Sequence, residues 1–285
     1  MINNFAFEQP TSIEDALRLL SLPGRSVPVV GGTNVLVYLK RNPLEADRVI
    51  DLSRLEALRG ISDDNGRIRI GAGVTFTDLL EWNPGGGVQS LLKPMCANFA
   101  GPLTRNLATV GGNICDASPA ADISPPLLAL DATVTLLSAS EGERTVPISE
   151  FFLGVRNTAR RENELLTSVE FDLPGDNARG FYYKLGKRKA DAISIVSVAI
   201  LVQLDGETVQ KARIALGAVA PVAMRAVNAE SQLLGQALEQ TTIDASAATA
   251  AGESQPIDDF RASGNYRRQM VEELVRRGLH AIAKA

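Results

Sequence analysis

Val27-Pro28-Val29-Val30-Gly31-Gly32-Thr33-Asn34 is the stretch on which the fold turns. Val27 to Val30 read as a short buried strand. It runs straight into two glycines and then into a helical stretch, Val35 to Lys40. Glycines lack side chains and let backbone N–H groups approach an anion closely. A helix beginning there adds free donors and a favourable dipole. A second glycine pair lies well downstream, in Thr109-Val110-Gly111-Gly112-Asn113, again flanked by small polar residues. Two such turns from separate segments can grip one pyrophosphate from both sides. Either pair alone is more often a tight turn. Neither reads G-x-G-x-x-G or G-x-x-x-x-G-K-S/T, so a Rossmann site and an ATP or GTP loop are not supported.

Around the first pair the chain reads as a small α/β unit. Thr11-Ser12-Ile13-Glu14 is a hydroxyl-capped helix start, followed by Ile13, Ala16, Leu17, Leu19 and Leu20 at helical spacing, with a stop at Pro23-Gly24. Val49 to Leu52 is another strand. From Ile61 the character changes: Arg67 to Ala72 alternates as a half-exposed strand does. Thr77 to Glu81 starts a helix, Pro84 to Gly87 is a loop, and Leu91 to Ala97 reads as a short helix that Pro94 weakens. Ala132 to Leu137 and Leu165 to Phe171 read as strands. Pro174-Gly175-Asp176-Asn177 is a turn cluster and the expected domain boundary. Beyond it come three strands, Tyr182 to Lys184, Ile195 to Gln203 and Ala212 to Gly217, with a hairpin at Asp205-Gly206. Two helices follow, Ala223 to Gln236 and Tyr266 to Lys284, and Ser246 to Gln255 is the one stretch expected to be disordered.

Composition removes several function classes. The chain has 285 residues, 45% of them hydrophobic, and a formal net charge of −4, so no broad basic field invites nucleic acid. The most apolar run, Ile193 to Leu204, is too short to span a bilayer. The N-terminus, Met1 to Phe5, has no basic start or apolar core of an export leader, which makes the cytoplasm the expected location. Two cysteines, Cys96 and Cys115, cannot build a four-cysteine iron–sulfur cluster; both read as reduced thiols. The single histidine, His280, sits in a basic helical stretch near the C-terminus. Nucleophilic triads and histidine metal sites are poorly served, and a protein so equipped borrows its chemistry from a cofactor or a partner.

Three further groups could carry chemistry. Asp116 and Asp122 follow the second glycine pair; either can accept bonds from ribose or ribityl hydroxyls, although for Asp122, ahead of Ile123-Ser124-Pro125, helix capping is the better reading of the residues alone. Lys184, Lys187, Arg188 and Lys189 form a basic cluster followed by Asp191. It reads as a solvated loop, or as the cation that stabilises negative charge at the redox end of a flavin.

Val29 to Asn34 and Thr109 to Asn113 together resemble the paired FAD motifs of the xanthine dehydrogenase and carbon monoxide dehydrogenase flavoprotein family. The likeness continues through Ser118-Pro119-Ala120-Ala121-Asp122, Tyr183-Lys184 and Asn265-Tyr266-Arg267-Arg268. It implies an α+β fold: a two-subdomain FAD-binding domain of the vanillyl-alcohol oxidase and MurB type over residues 1–174 (subdomains about 1–56 and 57–174), then a C-terminal α+β domain over 177–285 with a small antiparallel sheet and helices. It also implies that Val29, Val30, Gly31, Gly32, Thr33, Asn34 and Val35, with Thr109, Gly111, Gly112 and Asn113, hold the pyrophosphate of a non-covalent FAD. Phe99 would lie near the adenine, Asp122 would contact the cofactor, and Leu165 or Leu166 and Lys184 would lie close to it.

The resemblance further implies partners. A large subunit would carry the molybdenum cofactor and a small one two 2Fe–2S clusters, in a heterotrimer repeated twice. This chain would pass electrons from the clusters through FAD to NAD or another soluble acceptor, with Arg188 and Asp191 gating the flavin's exposed face. Thr33-Asn34 stands where the carbon monoxide branch has His-Ser, and Ala192 or Ile193 where that branch has a tyrosine. These departures point to the xanthine, purine or nicotinate branch, although Asn34 replaces an acidic residue common there. The rivals are a self-contained flavin oxidoreductase of the same fold and a scaffold that has lost its cofactor.

Overall fold

The computed structural model describes residues 5–41, 46–189 and 191–285; Met1–Asn4, on which the expectation about an export leader rests, lie outside them. The chain opens with a three-stranded sheet in which Ala6–Glu8, Arg48–Asp51 and Ser26–Val29 lie side by side in that order, all parallel. Parallel neighbours need crossovers, and helices Ile13–Leu20 and Val35–Arg41 lie on them. Ser12 caps the first helix, its Oγ accepting the Asp15 N–H at 3.1 Å. The apolar face of that helix, Ala16, Leu17, Leu19 and Leu20, buries with Ile50, Leu52 and Leu165.

A five-stranded antiparallel sheet follows, ordered Ile61–Asp64, Arg67–Gly71, Glu164–Asp172, Thr133–Ser138, Gly142–Pro147. Its central strand, Glu164–Asp172, carries an irregularity between Leu166 and Ser168. Leu165 faces the first cluster, while Leu166, Val169 and Phe171 enter the main core with Ile70, Val134 and Leu136. Helix Gly86–Asn98 packs into the same core. Here the structure corrects two expectations. The loop expected over Pro84 to Gly87 ends at Gly85, and the helix runs on through Pro94. An interior proline costs about 3 kcal/mol, but Val88, Leu91, Leu92, Met95 and Cys96 are all buried on this helix. At about 1.5–3 kcal/mol for each large side chain, that burial outweighs the proline.

The last sheet is antiparallel, ordered Ala178–Gly186, Ser194–Asp205, Thr208–Gly217, Met224–Arg225. In Ser194–Asp205 the side chains alternate between two cores. Val196, Val198, Ile200 and Val202 meet Val271, Leu274, Val275 and Leu279 of helix Gly264–Ala283, whereas Ala199 and Leu201 meet Leu91 and Leu92. The apolar run Ile193 to Leu204 is thus chiefly a strand covered on both faces. Among the described residues no helix is long and apolar enough to cross a membrane.

Two more expectations are corrected. The helix read over Ala223 to Gln236 is only Val227–Leu233, because Ala226 N–H bonds the Ile214 carbonyl and Met224–Arg225 joins the sheet. Residues 246–255, expected to be disordered, lie mostly in helix Gln240–Glu253, with Ile243, Ala247 and Ala250 fully buried. Alanine is the best helix former, and its small side chain lets this helix approach its neighbours closely. The architecture is α+β.

Candidate cofactor-binding site

The first glycine turn leaves the parallel sheet after Val29, whose carbonyl accepts the Leu52 N–H at 2.7 Å. Gly32 adopts φ +65°, a left-handed conformation that turns the chain into helix Val35–Arg41. Gly31 is glycine for a different reason. A Cβ there would lie 1.7 Å from the Leu107 carbonyl oxygen, so the turn rests directly on the backbone ahead of the second motif. Among the described residues, the amides of Gly31, Gly32, Thr33 and Asn34 meet no protein acceptor. They are a run of donors on a half-buried turn, suited to an anionic oxygen.

The second motif is built differently, and the expectation of bare backbone donors is corrected. Thr109 caps helix Val110–Asp116, its Oγ1 accepting the Gly112 N–H at 3.2 Å. Val110 and Gly111 donate to the carbonyls of Val74 and Ala72, and Asn113 donates to that of Thr109. Gly111 is needed because a Cβ would lie 2.7 Å from that of Ala72. The amides here are satisfied because this turn packs a helix against a strand. What remains available is the Asn113 side chain, whose buried Oδ1 has no partner.

The two motifs are joined. Asn34 Nδ2 donates to Asp116 Oδ2 at 3.0 Å, and the Tyr38 hydroxyl donates to Asp116 Oδ1 at 2.9 Å. Arg156 lies 3.8 Å from the same carboxylate and covers the Tyr38 ring at 4.3 Å. Both oxygens of Asp116 are therefore engaged within the protein. Burial, and then the Asp116 carboxylate, raise the Tyr38 pKa and keep its hydroxyl a donor. Tyr38 and Arg156 carry no motif signal in the sequence.

Asp122 does not cap a helix. Helix Ser124–Ala129 carries Pro125 and Pro126 in its first turn, so the amides that a capping carboxylate would accept from are missing. Instead Asp122 Oδ2 accepts Lys184 Nζ at 2.6 Å and Oδ1 accepts the Ser194 hydroxyl at 2.8 Å. The pair is sealed, with side-chain exposures of 5% for Lys184 and 7% for Asp122. Burial raises the Asp122 pKa, against the opposing pull of Lys184 and Ser194. Lys184 also reaches the Asn98 carbonyl at 3.2 Å. It belongs to strand Ala178–Gly186 and is not part of a solvated loop. Lys187 and Arg188 lie in the loop, where Arg188 bonds the Asp191 carbonyl and Lys187 the Phe260 carbonyl.

Phe99 closes helix Gly86–Asn98 and stacks on Phe76, with ring centroids 3.8 Å apart. Arg105 holds it by donating to the carbonyls of Phe99 and Ala100 at 2.8 and 3.0 Å. Leu166 is buried in the main core. Burial pushes the Cys96 thiol up to about 12 and raises that of Cys115, as suits inert thiols. His280 lies in the last turn of helix Gly264–Ala283. A cavity of about 160 Å³ lined by Leu130, Leu173, Pro174 and Gln203 includes none of the glycine-turn residues.

These residues fit a diphosphate cofactor. Among the described residues the four amides of the first turn meet no protein acceptor, the turn rests on the backbone at Leu107, and the carboxylates of Asp116 and Asp122 are offset by Arg156 and Lys184. Comparison with known proteins agrees. The family described as the FAD binding domain in molybdopterin dehydrogenase matches residues 3–174, and the CO dehydrogenase flavoprotein C-terminal domain matches residues 181–282. The carbon monoxide dehydrogenase medium chain of Hydrogenophaga pseudoflava is 32% identical, over 97% of this chain and 96% of that one. A xanthine dehydrogenase FAD-binding subunit of Escherichia coli is 30% identical, over 100% and 98%. A solved structure of the Hydrogenophaga pseudoflava carbon monoxide dehydrogenase superimposes with a TM-score of 0.93 at 31% identity, covering 99% of this chain and 98% of that one. The fold is that of a flavin-binding oxidoreductase component. The chain belongs to the FAD-binding flavoprotein subunits of the molybdenum hydroxylase family.

Proposed function

We propose that this chain is the terminal electron carrier of a molybdenum hydroxylase complex, taking electrons from the 2Fe–2S clusters of a small subunit and delivering them to a soluble acceptor such as NAD. The hydroxylation itself would occur on a large molybdenum-cofactor subunit, in a heterotrimer repeated twice and located in the cytoplasm. FAD, when bound, supplies the redox chemistry. Residues 1–174 would hold it, and residues 177–285 would contribute Lys184 beside Asp122. The observation that carries the reading is the first glycine turn, whose Gly31 to Asn34 amides meet no protein acceptor among the described residues and which rests on the Leu107 backbone just ahead of the second motif.

In this reading Val29 to Val35 wrap the diphosphate, and Thr109, Gly111, Gly112 and Asn113 support it from the other side. Asp116 acts by locking the turns together. Phe99 would offer a stacking surface for the adenine, and Leu166 would lie close to the cofactor. The Asp122–Lys184 pair would supply a buried cation to offset negative charge on a reduced flavin. Arg188 and Asp191 form an exposed ion pair that gates access to the flavin. Thr33-Asn34, and Ala192 or Ile193 in place of a tyrosine, favour the xanthine-type branch. The test is a visible spectrum of the purified chain, with about one FAD per chain expected, and co-purification of iron–sulfur and molybdenum subunits. A colourless protein that takes up no FAD overturns the reading.

A further inference from the structure

Arg267 lies in the Asn265-Tyr266-Arg267-Arg268 motif, and nothing in the site described above uses it. It is fully buried, at 0% exposure, a rare state for arginine unless it is paired. Its Nη1 donates to the carbonyls of Ile195 and Ala218 at 3.1 and 2.9 Å, and its Nη2 donates to Asp259 Oδ1 at 2.6 Å. Arg261 binds the same carboxylate at Oδ2 through Nε and Nη2, at 2.9 and 2.6 Å, and donates to the Ser194 carbonyl at 3.1 Å. Two arginines on one aspartate thus grip the start of strand Ser194–Asp205 and the residue after strand Thr208–Gly217.

Both gripped points make the next contact with one segment. The Ser194 hydroxyl donates to Asp122 at 2.8 Å, and the Ala218 N–H donates to the Pro119 carbonyl at 2.8 Å. The Ser118 to Asp122 segment is therefore held at both ends by strand termini that Arg261 and Arg267 lock. We propose that Asp259, Arg261 and Arg267 form a clamp that positions Ser194 against Asp122, so that Ser194 sets how firmly Asp122 holds Lys184 and how much of that lysine's charge reaches the cofactor. Ser194 and the clamp are positioning residues. The inference rests on the FAD reading above. It adds a route by which the C-terminal domain tunes the flavin.

The test uses the full chain and FAD, with Ser194→Ala, Arg261→Ala and the double variant. Arg267→Ala is avoided because its side chain is fully buried. FAD affinity is read by titration and the midpoint potential by equilibration with redox dyes. In Ser194→Ala, reduced FAD should bind about tenfold more weakly than it does to the parent, because less of the Lys184 charge is left to offset the charge gained on reduction. The potential should fall, because an Asp122 carboxylate with one donor fewer holds Lys184 more tightly. The fall should be about 30 mV for each tenfold difference in affinity between oxidised and reduced cofactor. Arg261→Ala should move both readouts the same way, and the double variant should match Ser194→Ala. A folded Ser194→Ala chain with parental affinity and potential overturns the proposal, as do additive losses in the double variant. A parent that binds no FAD overturns the FAD reading and this inference with it, whereas a parent that binds FAD beside an unaltered Ser194→Ala overturns only the inference.

Discussion

Asn34 and Asp116, 82 residues apart in the chain, are joined by a 3.0 Å hydrogen bond that fastens the first glycine turn to the helix of the second. Tyr38 shares the same carboxylate. This junction ties the two motifs together through one carboxylate.

Asp116→Ala removes both bonds and the nearby Arg156 contact. We expect a loss of about 1–3 kcal/mol, the range for hydrogen bonds to a partly buried charged group. Thermal unfolding of the FAD-free chain should show a lower Tm, and the purified variant should retain less flavin. An unchanged Tm and flavin content would mean that the turns are held together by packing alone.

Gly31→Ala and Gly112→Ala should differ sharply. At Gly31 a Cβ meets the Leu107 carbonyl oxygen at 1.7 Å and its carbon at 2.4 Å, both backbone atoms, so the turn must move. At Gly112 a Cβ meets only Thr109 Oγ1, at 3.0 Å. Gly31→Ala is expected to lose FAD and destabilise the chain by several kcal/mol, on the order of overpacking or backbone strain combined. Gly112→Ala should fold nearly as the parent does. Full flavin retention in Gly31→Ala would argue against the first turn as the phosphate cradle.

Asp259 makes the stability of the fold sensitive to acid. Hydrogen bonds from Arg261, opposed by burial, hold its carboxyl well below the ordinary 3.8. A folded pKa below the unfolded one stabilises the protein fully above about pH 4, and that contribution is lost as pH falls through the folded value. Asp259→Asn should therefore lower the Tm at neutral pH, by the equivalent of about 2 kcal/mol. The gap to the parent should narrow steadily below pH 4. A gap that stays constant with pH would show that the carboxylate's charge contributes nothing.

Ala250→Leu probes the helix expected to be disordered. Ala250 is fully buried, and added methylenes in a packed site typically cost about 1–3 kcal/mol. Amides of Gln240–Glu253 should also exchange slowly in the parent. Fast exchange there, or a neutral Ala250→Leu, would contradict the packing.

Some of this was legible in the residues. The strand, glycine pair and helix from Val27 to Lys40 could be read because a buried strand and a turn both leave local signals. The hairpin at Asp205-Gly206 could be read for the same reason. Residues 246–255 were misread because an Ala-, Ser- and Thr-rich stretch shows no amphipathic period when small side chains form the contact. Asp122 was misread because its partners, Lys184 and Ser194, lie more than sixty residues away. Tyr38, Arg156 and Arg261 left no signal, since each matters only through a distant contact.

The amino-acid sequence by itself determined the family, the strand and helix periods and the two glycine motifs, because these depend on neighbours along the chain. Only the tertiary structure decided what each glycine is for: Gly31 allows two backbones to touch, and Gly111 seats a helix on a strand. It also decided that the second turn's amides are already bonded and that Asp122 is paired with a sealed lysine. Those outcomes depend on which atoms fill the space opposite a residue, and the chain's neighbour order does not encode that directly.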